Sequence, residues 1–163
     1  MRRSFVATLI LMLAAAAAAI PFGVSALEAV TAIDGDTLEI SGTTYRLFGI
    51  DAPERYQTCT VLEKPWACGG QARDALTGLT AGRAVECTPA GIDDTGHATA
   101  RCRANGRDLG AVMVQFGWAL AVRAEAPEYL AIEQQASKDR AGIWRGDFVL
   151  PSVFRRIVNT AAR

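Results

Sequence analysis

Four cysteines, Cys59, Cys68, Cys87 and Cys102, all lie downstream of a leader-like N-terminus, and that combination narrows the fold more than any other feature of the chain. Residues 1–26 have the make-up of a secretory signal: Arg2 and Arg3 at the start, an apolar stretch from Phe5 to Ile20 broken only by Thr8, then Pro21 and the small residues Val24-Ser25-Ala26 before a cleavage point. The stretch is short for a bilayer span, so a retained anchor is the alternative, and export to the periplasm or the medium is the expectation. Arg2-Arg3-Ser4-Phe5-Val6 also resembles a twin-arginine signal, which leaves the export route open. In an oxidising compartment an even number of cysteines implies two disulfides. No cysteine pair has the close spacing of a zinc site, and the chain has one histidine, His97.

Residues 27–163 are then expected to form one domain around one core, since no internal repeat or long linker divides them. Without Arg2 and Arg3 the chain has 15 basic against 17 acidic residues. A net charge of −2 argues against a protein that holds nucleic acid by bulk electrostatics. The charge is uneven: residues 138–163 contain Lys138, Arg140, Arg145, Arg155, Arg156 and Arg163 against two acids. A solvated tail is the simpler reading of that run, with a phosphate-contacting patch the alternative.

The first half of the mature chain predicts a three-stranded meander. Residues 29–33 and 37–40 flank Asp34-Gly35-Asp36, where Asp-Gly predicts a hairpin with positive φ in its turn, and Ser41-Gly42 leads into residues 43–49. Residues 50–70, with their prolines, two cysteines and Gly69-Gly70, predict an extended surface loop. Ala72, Ala75, Leu76 and Leu79 predict a helix stopped by Gly82. Strands are expected over 84–88 and 99–103. A helix carrying Leu109, Val112, Met113 and Phe116 follows, capped by Asp108 and ended by Gly117, and a last one runs from about 128 to 140. Five strands with a helix between the third and fourth is the order of an OB barrel, so the expected class is α+β, mainly β, a five-stranded OB-fold with about three α-helices. Cys87 and Cys102 lie in strands joined by one loop, which predicts a cross-strand disulfide, and Cys59 then pairs locally with Cys68.

The chemistry is concentrated in Asp34-Gly35-Asp36-Thr37-Leu38 and in Arg46-Leu47-Phe48-Gly49-Ile50-Asp51-Ala52-Pro53-Glu54. Asp36 opens a strand and Asp51 follows one, so a single hairpin face can bring both carboxylates together. Hard oxygens of this kind suit Ca2+ or Mg2+. Taken alone, the first segment is more simply an ordinary turn, and Asp51-Ala52-Pro53-Glu54 also reads as a loop bearing a solvated acid pair.

Together these segments closely resemble the staphylococcal nuclease-like (thermonuclease) family. The resemblance continues through Gly91 to Arg103, Asp108-Leu109, Met113-Val114, Gly117-Trp118-Ala119 and Gly142-Ile143-Trp144, over roughly residues 29–150. The stretch from Gln57-Thr58-Cys59 to Trp66-Ala67-Cys68-Gly69 is similar to that of exported proteobacterial members. The resemblance implies an OB-fold and a Ca2+-dependent phosphodiesterase acting on DNA or RNA. Asp36 and Asp51, with the carbonyl of Ala52, match the calcium ligands. Glu54 matches the acid that directs the attacking water, and Arg46 an arginine on the scissile phosphate. A nucleic acid substrate, a monomer and no lasting membrane association after signal cleavage complete the expectation.

The departures bear on catalysis. Asp94-Thr95-Gly96-His97 occupies the loop where the family carries a tyrosine and a second catalytic arginine, so Thr95 stands for the aromatic and His97 for the arginine. Arg123 and Glu125 stand where further pocket tyrosines are expected. A neutral imidazole supplies neither a permanent charge nor a two-point fork, and an uncompensated loss amounts to about 3–5 kcal/mol of transition-state stabilisation, or about 10² to 10⁴ in rate. His97 is then either a protonatable substitute or an exposed bystander, and Arg101 and Arg103 are the nearby charges that stand to compensate. The competing function is a non-catalytic OB-fold binding module for an oligonucleotide or another envelope polymer.

Overall fold

The computed structural model describes residues 29–93 and 96–162. The leader, with its signal-peptide expectation, and Asp94, Thr95 and Arg163 lie outside the described residues. β1 (Val30–Asp34), β2 (Thr37–Ile40) and β3 (Thr43–Leu47) form the expected antiparallel meander. Leu38 and Ile40 point into the core while Glu39 between them is exposed, which is the two-residue alternation of a half-buried strand.

The first turn departs from expectation. Gly35 and Asp36 do not take positive φ, whereas Ser41 (51°) and Gly42 (81°) in the second turn do. Gly35 is required for a different reason: a Cβ there would come within 2.8 Å of the Cβ atoms of both Ala52 and Ala72. The hairpin and the first helix touch through that missing side chain.

Residues 50–70 are more ordered than an extended loop. They contain β4 (Ile50–Asp51) and a hairpin of β5 (Cys59–Val61) and β6 (Lys64–Trp66). The hairpin turn uses Leu62 (φ 48°) and Glu63 (φ 63°), neither of them a residue type that marks a turn. The Cys59–Cys68 disulfide ties β5 to the start of α1 (Cys68–Thr80). A small satellite core of Ile143, Trp66, Trp118, Trp144 and Phe148 packs around that bond.

After α1 come β7 (Val85–Ile92) and β8 (Ala98–Ala104), with Cys87 opposite Cys102 and bonded to it as expected. The main sheet runs β1-β2-β3-β8-β7, with β3 and β8 parallel through Arg46↔Thr99 and Leu47↔Ala100. That is the strand order of an OB-fold, with α1 between its third and fourth strands. β9 (Arg107–Asp108) pairs with β8 and leads into α2 (Leu109–Gln115), whose first turn is capped by Asp108 Oδ1 accepting from the Ala111 N–H at 3.1 Å. β10 (Leu120–Ala121) pairs with β4, and a 3-10 turn over Pro127–Tyr129 precedes α3 (Leu130–Lys138). The main core is formed by Leu38, Leu47, Leu76, Leu109 and Met113 with their neighbours.

The described residues contain four α-helices where about three were expected. The additional one, α4 (Pro151–Ala161), starts at a proline suited to the first helical position. Its sequence drew attention for charge, and that hid the helical spacing of Val153, Phe154, Ile157 and Val158. No helix among the described residues is long and apolar enough to cross a membrane.

Candidate active site

Asp36 sits in the turn that opens β2 and is only 5% exposed, covered where the hairpin meets α1. Its Oδ1 accepts from Thr37 Oγ1 at 2.9 Å, and its Oδ2 accepts from the Ala52 N–H at 3.0 Å and from Arg46 Nη2 at 3.3 Å. Burial pushes the Asp36 carboxyl up, and prevails over the opposing pull of Arg46, the Ala52 amide and the Thr37 hydroxyl.

Arg46 faces Thr37 across the β2–β3 ladder, so its guanidinium lies over the turn. Nη2 also donates to Asp51 Oδ1 at 3.2 Å, and Nη1 lies 3.7 Å from Asp93 Oδ2. Asp51 is placed by β4, which β10 pins through Leu120↔Asp51. Glu54 is placed by Gln57, a fully buried residue whose side-chain Oε1 accepts from the Glu54 N–H at 3.3 Å and whose backbone N–H donates to the Glu54 carbonyl at 2.7 Å. Gly69, in the first turn of α1, packs flat against that carbonyl, and an added Cβ would overlap it. The structure thus brings Asp36, Arg46, Asp51, Ala52 and Glu54 together.

His97 lies at the edge. Its side chain is 69% exposed, its N–H donates to Asp93 Oδ1 at 2.8 Å, and its Nδ1 lies 3.8 Å from the same oxygen. Arg101 points elsewhere: Nη1 donates to the Tyr129 hydroxyl at 3.2 Å, Nη2 to Glu128 at 2.9 Å, and the guanidinium stacks on Phe48 at 4.6 Å. Glu125 Oε2 accepts from the Gly49 N–H at 2.9 Å.

One residue was not anticipated. Arg155 of α4 reaches into the site, and its Nη1 donates at 2.8 Å to both Asp51 Oδ1 and Glu54 Oε1. Partial burial alone would lower the guanidinium's pKa, but the hydrogen bonds to the two carboxylates reverse this and hold it above its ordinary value. The basic excess of residues 138–163 was the only sign of it in the sequence, and nothing there singled out Arg155 from its neighbours.

Two adjoining recesses, of about 420 and 340 Å³, share Arg46 and Arg155 in their walls. The first includes Asp51, Asp93 and Glu125, the second Asp36, Glu54 and His97. Among the described residues no three His, Cys, Asp or Glu side chains make a ready metal cluster. However, Asp36 Oδ2 and Asp51 Oδ1 converge on the single nitrogen Arg46 Nη2, so a positive charge already stands between them. Two hard carboxylate oxygens aimed at one cationic point are donors of the kind that would suit Ca2+.

Compared with known protein families, residues 44–146 match the staphylococcal nuclease homologue family. The succinoglycan biosynthesis protein ExoI of Rhizobium meliloti (strain 1021) is 38% identical over 119 residues, covering 69% of this chain and 61% of its own length. Protein ParB of Escherichia coli is 34% identical over 134 residues, covering 72% of this chain and 71% of its own. The chain therefore spans less than two thirds of the first of these relatives.

Proposed function

Because the chain belongs to the staphylococcal nuclease family, we propose that it is an exported, Ca2+-dependent nuclease that hydrolyses phosphodiester bonds of DNA or RNA. The observation that carries this reading is the convergence of Asp36 and Asp51 on Arg46 Nη2, with Glu54 beside them, where two recesses that share Arg46 and Arg155 adjoin. Export is supported by two disulfides, Cys59–Cys68 and Cys87–Cys102, which persist in oxidising compartments.

Asp36 and Asp51, with the Ala52 carbonyl, are the residues that would hold Ca2+, and the cation would neutralise charge developing on phosphate oxygen. Arg46 turns its guanidinium from the two aspartates to the scissile phosphate, where its planar fork binds two oxygens. Glu54 Oε2, without a protein partner among the described residues, takes a proton from the attacking water. The water oxygen bonds to phosphorus, one P–O ester bond breaks, and His97 at the rim is the proposed proton donor to the leaving oxygen.

The test is hydrolysis of denatured DNA and of RNA by the purified protein, with Ca2+ and with chelator. Ca2+-dependent release of nucleotides is expected. The competing reading is a binding module for an oligonucleotide or an envelope polymer, a role in keeping with the Rhizobium relative's name as a succinoglycan biosynthesis protein. Binding without turnover in the same assay would establish it.

A further inference from the structure

The two recesses are strongly acidic. Asp34, Asp36, Asp51, Glu54, Asp93 and Glu125 line them, and among the described residues Arg46 and Arg155 are the only guanidinium groups in their walls. A phosphodiester entering this field needs every positive charge available. Arg101 is committed to Glu128, Tyr129 and Phe48, and the imidazole of His97 offers no planar two-point fork to a phosphate.

Arg155 is held in place rather than draped over the surface. Val149, just before α4, accepts from Gln57 Nε2 at 2.6 Å, and Gln57 is the buried amide that also fixes Glu54. Pro151 at the start of α4 is buried. One amide therefore sets the distance between the loop carrying Glu54 and the helix carrying Arg155. Of the Arg155 fork, only Nη1 is engaged with protein among the described residues, leaving Nη2 and Nε to bind another planar pair of oxygens.

We propose that Arg155 is the second phosphate-binding guanidinium of this site, supplied from α4 instead of the loop that carries His97. The proposal rests on the phosphodiesterase reading. With Nη1 anchored on Asp51 and Glu54, the Nη2 and Nε edge of Arg155 grips the phosphate opposite Arg46. Gln57 is the positioning residue that keeps the helix over the carboxylates.

The experiment compares the parent with Arg155→Ala, Arg155→Lys and, as a neighbouring exposed control, Arg156→Ala, on denatured DNA with Ca2+. Arg155→Ala is expected to lower kcat by about 10² to 10³, Arg155→Lys by about tenfold because a point charge replaces a fork, and Arg156→Ala to stay within about threefold. Added guanidinium ion should restore at least about tenfold to Arg155→Ala, which a merely structural role would not show. A rate within about threefold of the parent in Arg155→Ala overturns the proposal. So does a rise in rate, which would make α4 a plug competing for the carboxylates. If the parent itself does not hydrolyse nucleic acid, the nuclease reading fails, and binding of a labelled single-stranded 12-mer decides the matter separately. At least about tenfold weaker binding by Arg155→Ala than by Arg156→Ala then supports Arg155 as a phosphate contact, and equal binding overturns it.

Discussion

The Ala52 amide donates to Asp36 Oδ2 at 3.0 Å across sixteen residues of chain, inside the protein. That bond locks the first hairpin to the end of β4 and sets the spacing of Asp36 and Asp51. A cation bound between them stabilises the folded state by mass action, by about 2.7 kcal/mol at about 100 times its Kd. Ca2+ is therefore expected to raise Tm by several degrees, and Asp36→Asn to abolish the rise. An equal response in that variant would show that the ion binds elsewhere.

Glu54→Gln keeps the shape of the side chain and removes its basicity. Hydrolysis should fall by about 10² to 10⁴, while the Ca2+-induced rise in Tm persists, because Glu54 is not assigned to the cation. His97→Ala should lower the rate by about 10² at most. An unchanged rate would remove His97 from the reaction.

Gly69 supports Glu54 from below. Gly69→Ala would force the Glu54 carbonyl and the Gln57 amide apart, at a cost of about 3 kcal/mol by the measure of overpacked interiors. Urea unfolding should show the loss, and a variant as stable as the parent would mean that the contact relaxes freely.

Cys87 and Cys102 close a loop of sequence separation 15 in the middle of β7 and β8. Replacing both with alanine should cost about 3 kcal/mol. Cys59 and Cys68, nine residues apart, close a shorter loop and should cost less. Denaturant midpoints of the two double variants give the order directly.

Tyr129 gives a pH signature remote from the carboxylates. Burial, with Asp108 accepting from its hydroxyl at 3.0 Å, pushes its pKa from 10.0 up to about 12. The folded chain keeps a proton that the unfolded chain releases. Its contribution to stability is thus complete below about pH 10 and is lost as pH rises towards 12. Stability measured across that window should fall less steeply in Tyr129→Phe than in the parent, and identical slopes would contradict the assignment.

The local pattern of the chain determined the meander, α1, the paired strands of the Cys87–Cys102 bond and the Asp108-capped helix, because each depends on periodicity or on a cap within a few residues. It also paired Asp36 with Asp51, one opening a strand and the other following one, whereas the roles expected of Arg46 and Glu54 came from the resemblance of the two segments to the nuclease family. The β5–β6 hairpin escaped because Leu62 and Glu63 adopt turn angles that their side chains do not advertise. Only the tertiary structure decided which guanidinium joins Arg46. The sequence distance from Glu54 to Arg155 is 101 residues, and no local rule spans it. A buried amide on Gln57 and a buried Pro151 bring that helix back across the site. Contacts of this kind depend on how surfaces pack after the elements have formed, so the same basic residues that looked like a solvated tail include one that the fold turns inward.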